Sequence, residues 1–257
     1  MTPAASASTS AAKPTPAPLP IPRVIPFTLS VTAGFVDGLI FLALFGLYVA
    51  QATGSFVTIG AHWSQPEPGV LVKVLAIPVF LLGGVVATLI VATMPRRRAL
   101  LLTLAIEEIL LATLLVAGVA GPAARSADDP VALVAALCGL MAMGLQSALV
   151  RLLMPSFGST NVMTTNTTAL AIDLTQTALA WLRRSKARET LTASRRKLAN
   201  TLVVVLGFLV GTTGGAFSYH FGGWWALIVP LILLDAVAAW VWFSTREGGP
   251  VATAAGP

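Results

Sequence analysis

Apolar residues along this chain gather into six runs, Phe27–Ala52, Gly69–Met94, Ala99–Ala120, Val131–Leu153, Ala199–Phe217 and Trp224–Phe243. At about 1.5 Å per residue, each is long enough for a helix to cross roughly 30 Å of hydrocarbon. The pattern breaks once in an unusual way. Between the fourth and fifth runs stands "GSTNVMTTNTTAL", Gly158–Leu170, dense in Ser, Thr and Asn yet without charge. The surrounding segment, Pro155–Leu182, is predicted either to re-enter the membrane and return or to lie along one surface. Irregular backbone at membrane depth survives only where protein or water satisfies its amides, and uncharged hydroxyl and amide side chains can serve that need.

Composition strengthens the membrane reading. Hydrophobic residues make up 56% of the 257 residues and charged residues 10%, against about 25% charged in a soluble domain. Mean hydropathy is +0.85. Residues 1–26 are rich in Ala, Pro, Ser and Thr and lack the apolar core of a signal peptide, so a disordered cytoplasmic tail is expected there. Residues 27–245 are expected to form one transmembrane domain, with halves at 27–120 and 131–243, and 246–257 a short flexible tail.

The basic residues set an orientation. With a cytoplasmic N-terminus and six crossings, every Lys and Arg except Lys73 and Arg125 falls inside. Both termini are then cytoplasmic, and a bacterial cytoplasmic (inner) membrane is the expected location. This asymmetry accounts for the high pI without nucleic acid. The cluster Arg183–Lys197 could also bind anionic lipid, although topology alone explains it. The same orientation forbids Pro155–Leu182 from making a full crossing, because both of its flanks lie inside.

A faint internal repeat follows. "GFVDGLIFL" (Gly34–Leu42) aligns with "MGLQSALVR" (Met143–Arg151), which sets Asp37 opposite Gln146. "TGSFVTIG" (Thr53–Gly60) aligns with "TTNTTALA" (Thr164–Ala171). Each pair leads into two further runs. Three spans is an odd number, so the second copy enters the membrane upside down. The expected fold is thus all-α and polytopic: six transmembrane helices as two inverted three-helix repeats, with broken or re-entrant polar segments. Transporters recurrently use this design, with substrate bound near the midplane between the halves.

The same stretches, "AGFVDGLIFLALFGLYVAQATGSFVTIG" (Ala33–Gly60) and "MGLQSALVRLLMPSFGSTNVMTTNTTALAIDL" (Met143–Leu174), resemble the paired signatures of the YoaK family. That resemblance implies a bacterial inner-membrane protein and brings no activity with it. The chain departs from the family pattern at Ser55 and Ser147, where Asn is usual, and at Thr165, where Gly is usual.

Four acids lie within the runs: Asp37, Glu107, Glu108 and Asp235. An unpaired carboxylate in hydrocarbon is costly, so each is expected to be a hydrogen-bonded neutral carboxyl, a proton carrier or a cation ligand. These four are the proton-coupling candidates. The predicted substrate pocket combines Asp37, Thr53, Gly54, Ser55, Gln146, Thr164, Thr165, Asn166 and Thr167. Catalytic chemistry has little support. His62 and His220 stand beside interfacial tryptophans without metal-ligand spacing, and Cys138 has no histidine nearby. "GTTGG" (Gly211–Gly215) lacks the lysine of a phosphate loop, and Gly207, Gly211 and Gly215 recur every four residues as a helix-packing stripe. No enzyme activity, metal or cofactor is expected. The leading expectation is a small secondary transporter or permease for a polar or cationic solute, open to proton coupling and to homo-oligomerisation. The alternative is a membrane scaffold or assembly partner.

Overall fold

A computed structural model of the protein describes residues 21–62, 69–121, 129–161, 163–182 and 188–244. The predicted tails, Arg125, Trp63 and the Arg183–Lys186 part of the basic cluster lie largely or wholly outside these residues. Among the described residues all regular structure is helical: α1 (Val24–Ala43), α2 (Gly54–His62), α3 (Val70–Thr93), α4 (Arg96–Ala120), α5 (Pro130–Leu153), α6 (Met163–Leu182), α7 (Arg188–Gly222) and α8 (Ile228–Ser244). A 3₁₀ turn, Gly223–Leu227, joins the last two.

Among the described residues, five stretches are long and apolar enough to cross a membrane: α1, α3, α4, α5 and the continuous segment Thr192–Ser244. The last holds two helices, because Gly223 takes φ +53° and the chain turns there. That turn separates the fifth and sixth sequence runs. α6 is not among these stretches. It is one helix rather than a re-entrant hairpin, and packs on α7.

Two helix pairs form the framework: α1 lies on α7, and α3 on α5. α4 packs on α5 and α8 on α1, with α4 and α8 also in contact. α1 and α5 are the most enclosed helices, while α3 presents most of its surface outward. Glycine permits the close approach within each framework pair. A Cβ on Gly34 would run into the backbone of Phe208, and one on Gly144 into that of Phe80. Likewise Gly211 abuts the backbone of Val31 and Phe35, and Gly83 that of Met141 and Leu145. The Gly207–Gly215 stripe is therefore a packing surface against α1.

These contacts correct the sequence alignment by one residue. Matching them sets Gly34 against Gly144, so Asp37 stands against Ser147 rather than Gln146. The helix ends agree: Leu44 closes α1 at φ −126°, ψ 59°, and Met154 closes α5 at φ −128°, ψ 51°. The first run also ends earlier than its hydrophobicity suggested. α1 stops at Ala43, and Phe45 and Gly46 take positive φ (53° and 77°), turning the chain back on itself.

Candidate functional site

The loop after α1 is held by Asp37. Its Oδ1 accepts the backbone N–H groups of Val49 and Ala50, both at 2.8 Å, and Oδ2 accepts Gln51 Nε2 at 3.4 Å. Leu47, Val49, Ala50 and Ala52 are buried beneath it. Asp37 is therefore committed to folding a loop. It lies in the final two turns of α1, closer to one end than the mid-depth expected.

The corresponding loop after α5, residues 154–161, is held differently. Ser147 Oγ meets Ser159 Oγ at 3.1 Å, and Asn161 Nδ2 donates to the Met143 carbonyl at 2.8 Å. Gln146 Nε2 donates to the Leu29 carbonyl on α1 at 2.7 Å and lies 3.2 Å from Thr160 Oγ1. Asn166 of α6 donates to the Ser159 carbonyl. From α7, Asn200 Nδ2 donates to the Ser156 carbonyl at 3.1 Å, while its Oδ1 accepts Arg23 Nε at 3.0 Å. The side chains that make these hydrogen bonds to the loop, Gln146, Ser147, Asn161, Asn166 and Asn200, are all neutral.

Beside it opens a cavity of about 380 Å³, between the α5–α6 loop, α6 and α7. Its polar lining includes Arg151, Ser156, Ser159, Thr165, Asn166, Lys197 and Thr201. Behind that wall Asp173 is buried; it ion-pairs with Lys197 Nζ at 2.9 Å and accepts Thr201 Oγ1 at 3.0 Å. Asp173 thus balances Lys197. Arg151, in the last turn of α5, has no ion pair among the described residues. Among the described residues, the cavity consequently offers one positive charge without an ion pair, with hydroxyl and amide groups around it. That suits a polar or anionic guest and disfavours a cation.

The predicted pocket is not assembled as drawn. Among the described residues α2 packs on α3 and α6 on α7, and the two polar elements do not touch. Thr53, Thr164 and Thr167 are exposed, Gly54 is half-buried and Ser55 is buried in the other half. Of the predicted set, Thr165 and Asn166 line the cavity. The acids are also dispersed. Glu107 is fully buried, with neither carboxyl oxygen hydrogen-bonded among the described residues. Glu108 lies against Asp235 of α8, away from Asp37. Asp173, Thr201 and Asn200 are functional candidates that the sequence reading passed over, and Lys197 was read there only as part of the basic cluster Arg183–Lys197. One signal was available: Asp173 is an acid within α6 with no basic residue three or four positions away, which implies a partner from another helix.

The family described as proteins of unknown function, DUF1275, matches residues 25–240. No curated protein and no solved structure matches the chain.

Proposed function

The chain belongs to the DUF1275 family, and we propose that it is a small secondary transporter of a polar or anionic solute, built as an inverted repeat and held here in an inward-facing state. α1, α3 and α4 would form one half and α5, α7 and α8 the other, with six crossings and both termini cytoplasmic in a bacterial inner membrane. The basic residues support that orientation, and the paired signatures support the narrower likeness to YoaK proteins.

One observation carries the reading. Equivalent places in the two halves hold cavities of very different size. The α5–α6 cavity is lined by Pro155, Phe157, Lys197 and Thr201. When the glycine contacts are matched, these residues correspond to Phe45, Leu47, Gly69 and Lys73. Those four residues line a cavity of about 20 Å³ at the opposite end. One site is open where its counterpart is shut, which is what alternating access requires of two inverted halves. If the halves exchange conformations, the open site shuts and the shut one opens. Proton coupling, where it operates, falls to Glu107 rather than Asp37, because Asp37 is occupied by its loop.

The scaffold reading draws on a different observation. Glycine-packed interfaces and the tied-off Asp37 leave no cavity among the described residues that touches both polar elements. A substrate-free experiment separates the two readings. Thr165→Trp should fill the inner cavity and favour the outward-facing state, raising the reactivity of a thiol introduced as Leu47→Cys towards an impermeant maleimide. A rigid scaffold would leave that reactivity unchanged.

A further inference from the structure

A second cleft adjoins the polar cavity. It runs between α3 and α5 with a volume of about 390 Å³, and its walls are largely apolar: Phe80, Leu81, Gly84, Val85 and Leu89 from α3, with Gly144 and Ala148 from α5. Arg151 lines both the cleft and the polar cavity. A second link joins them, since Ser147 belongs to the cleft, Ser159 to the cavity, and their hydroxyls are 3.1 Å apart. From Phe80 to Leu89 the cleft follows about 13 Å of α3 at about 1.5 Å per residue. An open, largely apolar groove therefore reaches the same Arg151 that gives the polar cavity its positive charge without an ion pair among the described residues.

Resting on the transporter reading above, we propose that the substrate is an amphipathic anion, with a phosphate-type head in the polar cavity and a single alkyl chain along the α3–α5 cleft. The head suits the site because a guanidinium can hold two oxygens of a phosphate at once, and the surrounding hydroxyl and amide side chains can donate to the rest. The chain suits the cleft because exposed Leu81, Val85 and Leu89 offer it apolar contact. A free inorganic anion would use only half of this continuous surface. Among the described residues, a cationic amphiphile would meet Arg151 without an available carboxylate, since Asp173 is already paired with Lys197.

The test is binding to the purified full-length protein in a neutral maltoside detergent, using n-dodecyl phosphate, inorganic phosphate and dodecyltrimethylammonium as probes. Dodecyl phosphate should bind at least tenfold more tightly than either of the others. Arg151→Gln should weaken it by roughly tenfold or more, as expected for one lost charge-assisted contact. Val85→Trp, at an exposed position, should narrow the cleft and weaken dodecyl phosphate while leaving inorganic phosphate unchanged. This second variant keeps the test decisive if Arg151→Gln fails to fold. Equal affinity for inorganic phosphate would overturn the alkyl subsite, equal affinity for the cationic amphiphile would overturn the anionic head, and absence of binding would overturn the whole assignment. Flux of dodecyl phosphate in proteoliposomes then separates the two ideas. Binding without flux upholds the ligand and sinks transport, whereas flux of other solutes without dodecyl phosphate binding does the reverse.

Discussion

Removing the carboxylate of Asp37 should unfasten the loop after α1, and the cost can be bounded from its contacts. Asp37→Leu leaves the Val49 and Ala50 amides without their acceptor, in a place where water is excluded. A buried donor left unsatisfied costs about 1–3 kcal/mol, so the two together cost on the order of 2–6 kcal/mol before the loop relaxes. Asp37→Asn behaves differently. Its Oδ1 can still accept both amides, and the change from a charged to a neutral acceptor costs only about 1 kcal/mol per bond. The ranking of variants thus follows from geometry: wild type, then Asn slightly below, then Leu far below.

Thermal unfolding in detergent measures that ranking, and thiol labelling locates the change. A cysteine placed at Val49 should stay protected in the wild-type and Asn backgrounds and become reactive in the Leu background. Equal melting temperatures for Leu and wild type, or a protected Val49→Cys in the Leu variant, would refute the idea that Asp37 holds this loop. Loss of a transport activity in Asp37→Asn at unchanged stability would restore it as a proton carrier.

Three further outcomes are expected. Gly211→Val should prevent assembly of the α1–α7 pair, since a Cβ there meets the Val31 backbone, whereas Gly60→Ala, with no neighbouring atom within 4 Å, should unfold at the wild-type temperature. Lys197→Met should destabilise by about 3–5 kcal/mol at most, less some relief because the lysine is 63% exposed, since buried Asp173 loses its countercharge; Asp173→Asn in the same chain should recover most of the loss in chemical denaturation. Reporter fusions at Pro250 and within residues 122–128 should report opposite sides of the membrane, and the same side for both would remove the six-crossing topology.

The helices were legible because a long apolar run has few alternatives in a membrane. What ends α1 was not. Leu47, Val49, Ala50 and Ala52 are apolar and buried, so they read as more helix; the event that breaks the helix is the capture of two amides by a side chain twelve and thirteen residues back. Within the proposed repeat the sequence register is off by one residue, because chemical likeness favoured pairing Asp37 with Gln146. The register is instead fixed by where backbones touch through Gly34, Gly83, Gly144 and Gly211, and a glycine carries no side chain to align. The cavity was hidden for another reason. Arg151, Asp173 and Lys197 lie on three helices, and only the fold makes them neighbours.

The two loop anchors differ in kind, and that difference gives a reason for the inward-facing state proposed above. Around the loop after α1, a carboxylate accepts two backbone amides. At the matching position of the other half, Ser147 meets only the Ser159 hydroxyl. Hydrogen bonds to an ionised group are roughly twice as strong as neutral ones, so at this matched position the first loop has the stronger anchor, while the second relies on amide contacts from Asn161, Asn166 and Asn200. The open cavity lies beside the weaker anchor. Giving the second half the stronger anchor should therefore shift the balance. In Ser147→Asp the new carboxylate would face the amides of Ser159 and Thr160, as Asp37 faces those of Val49 and Ala50. The inner cavity should close, and a thiol at Ser156→Cys should react several-fold more slowly with a maleimide than it does with Ser147 in place. An unchanged rate in a folded Ser147→Asp protein would mean that the anchors do not set which side is open.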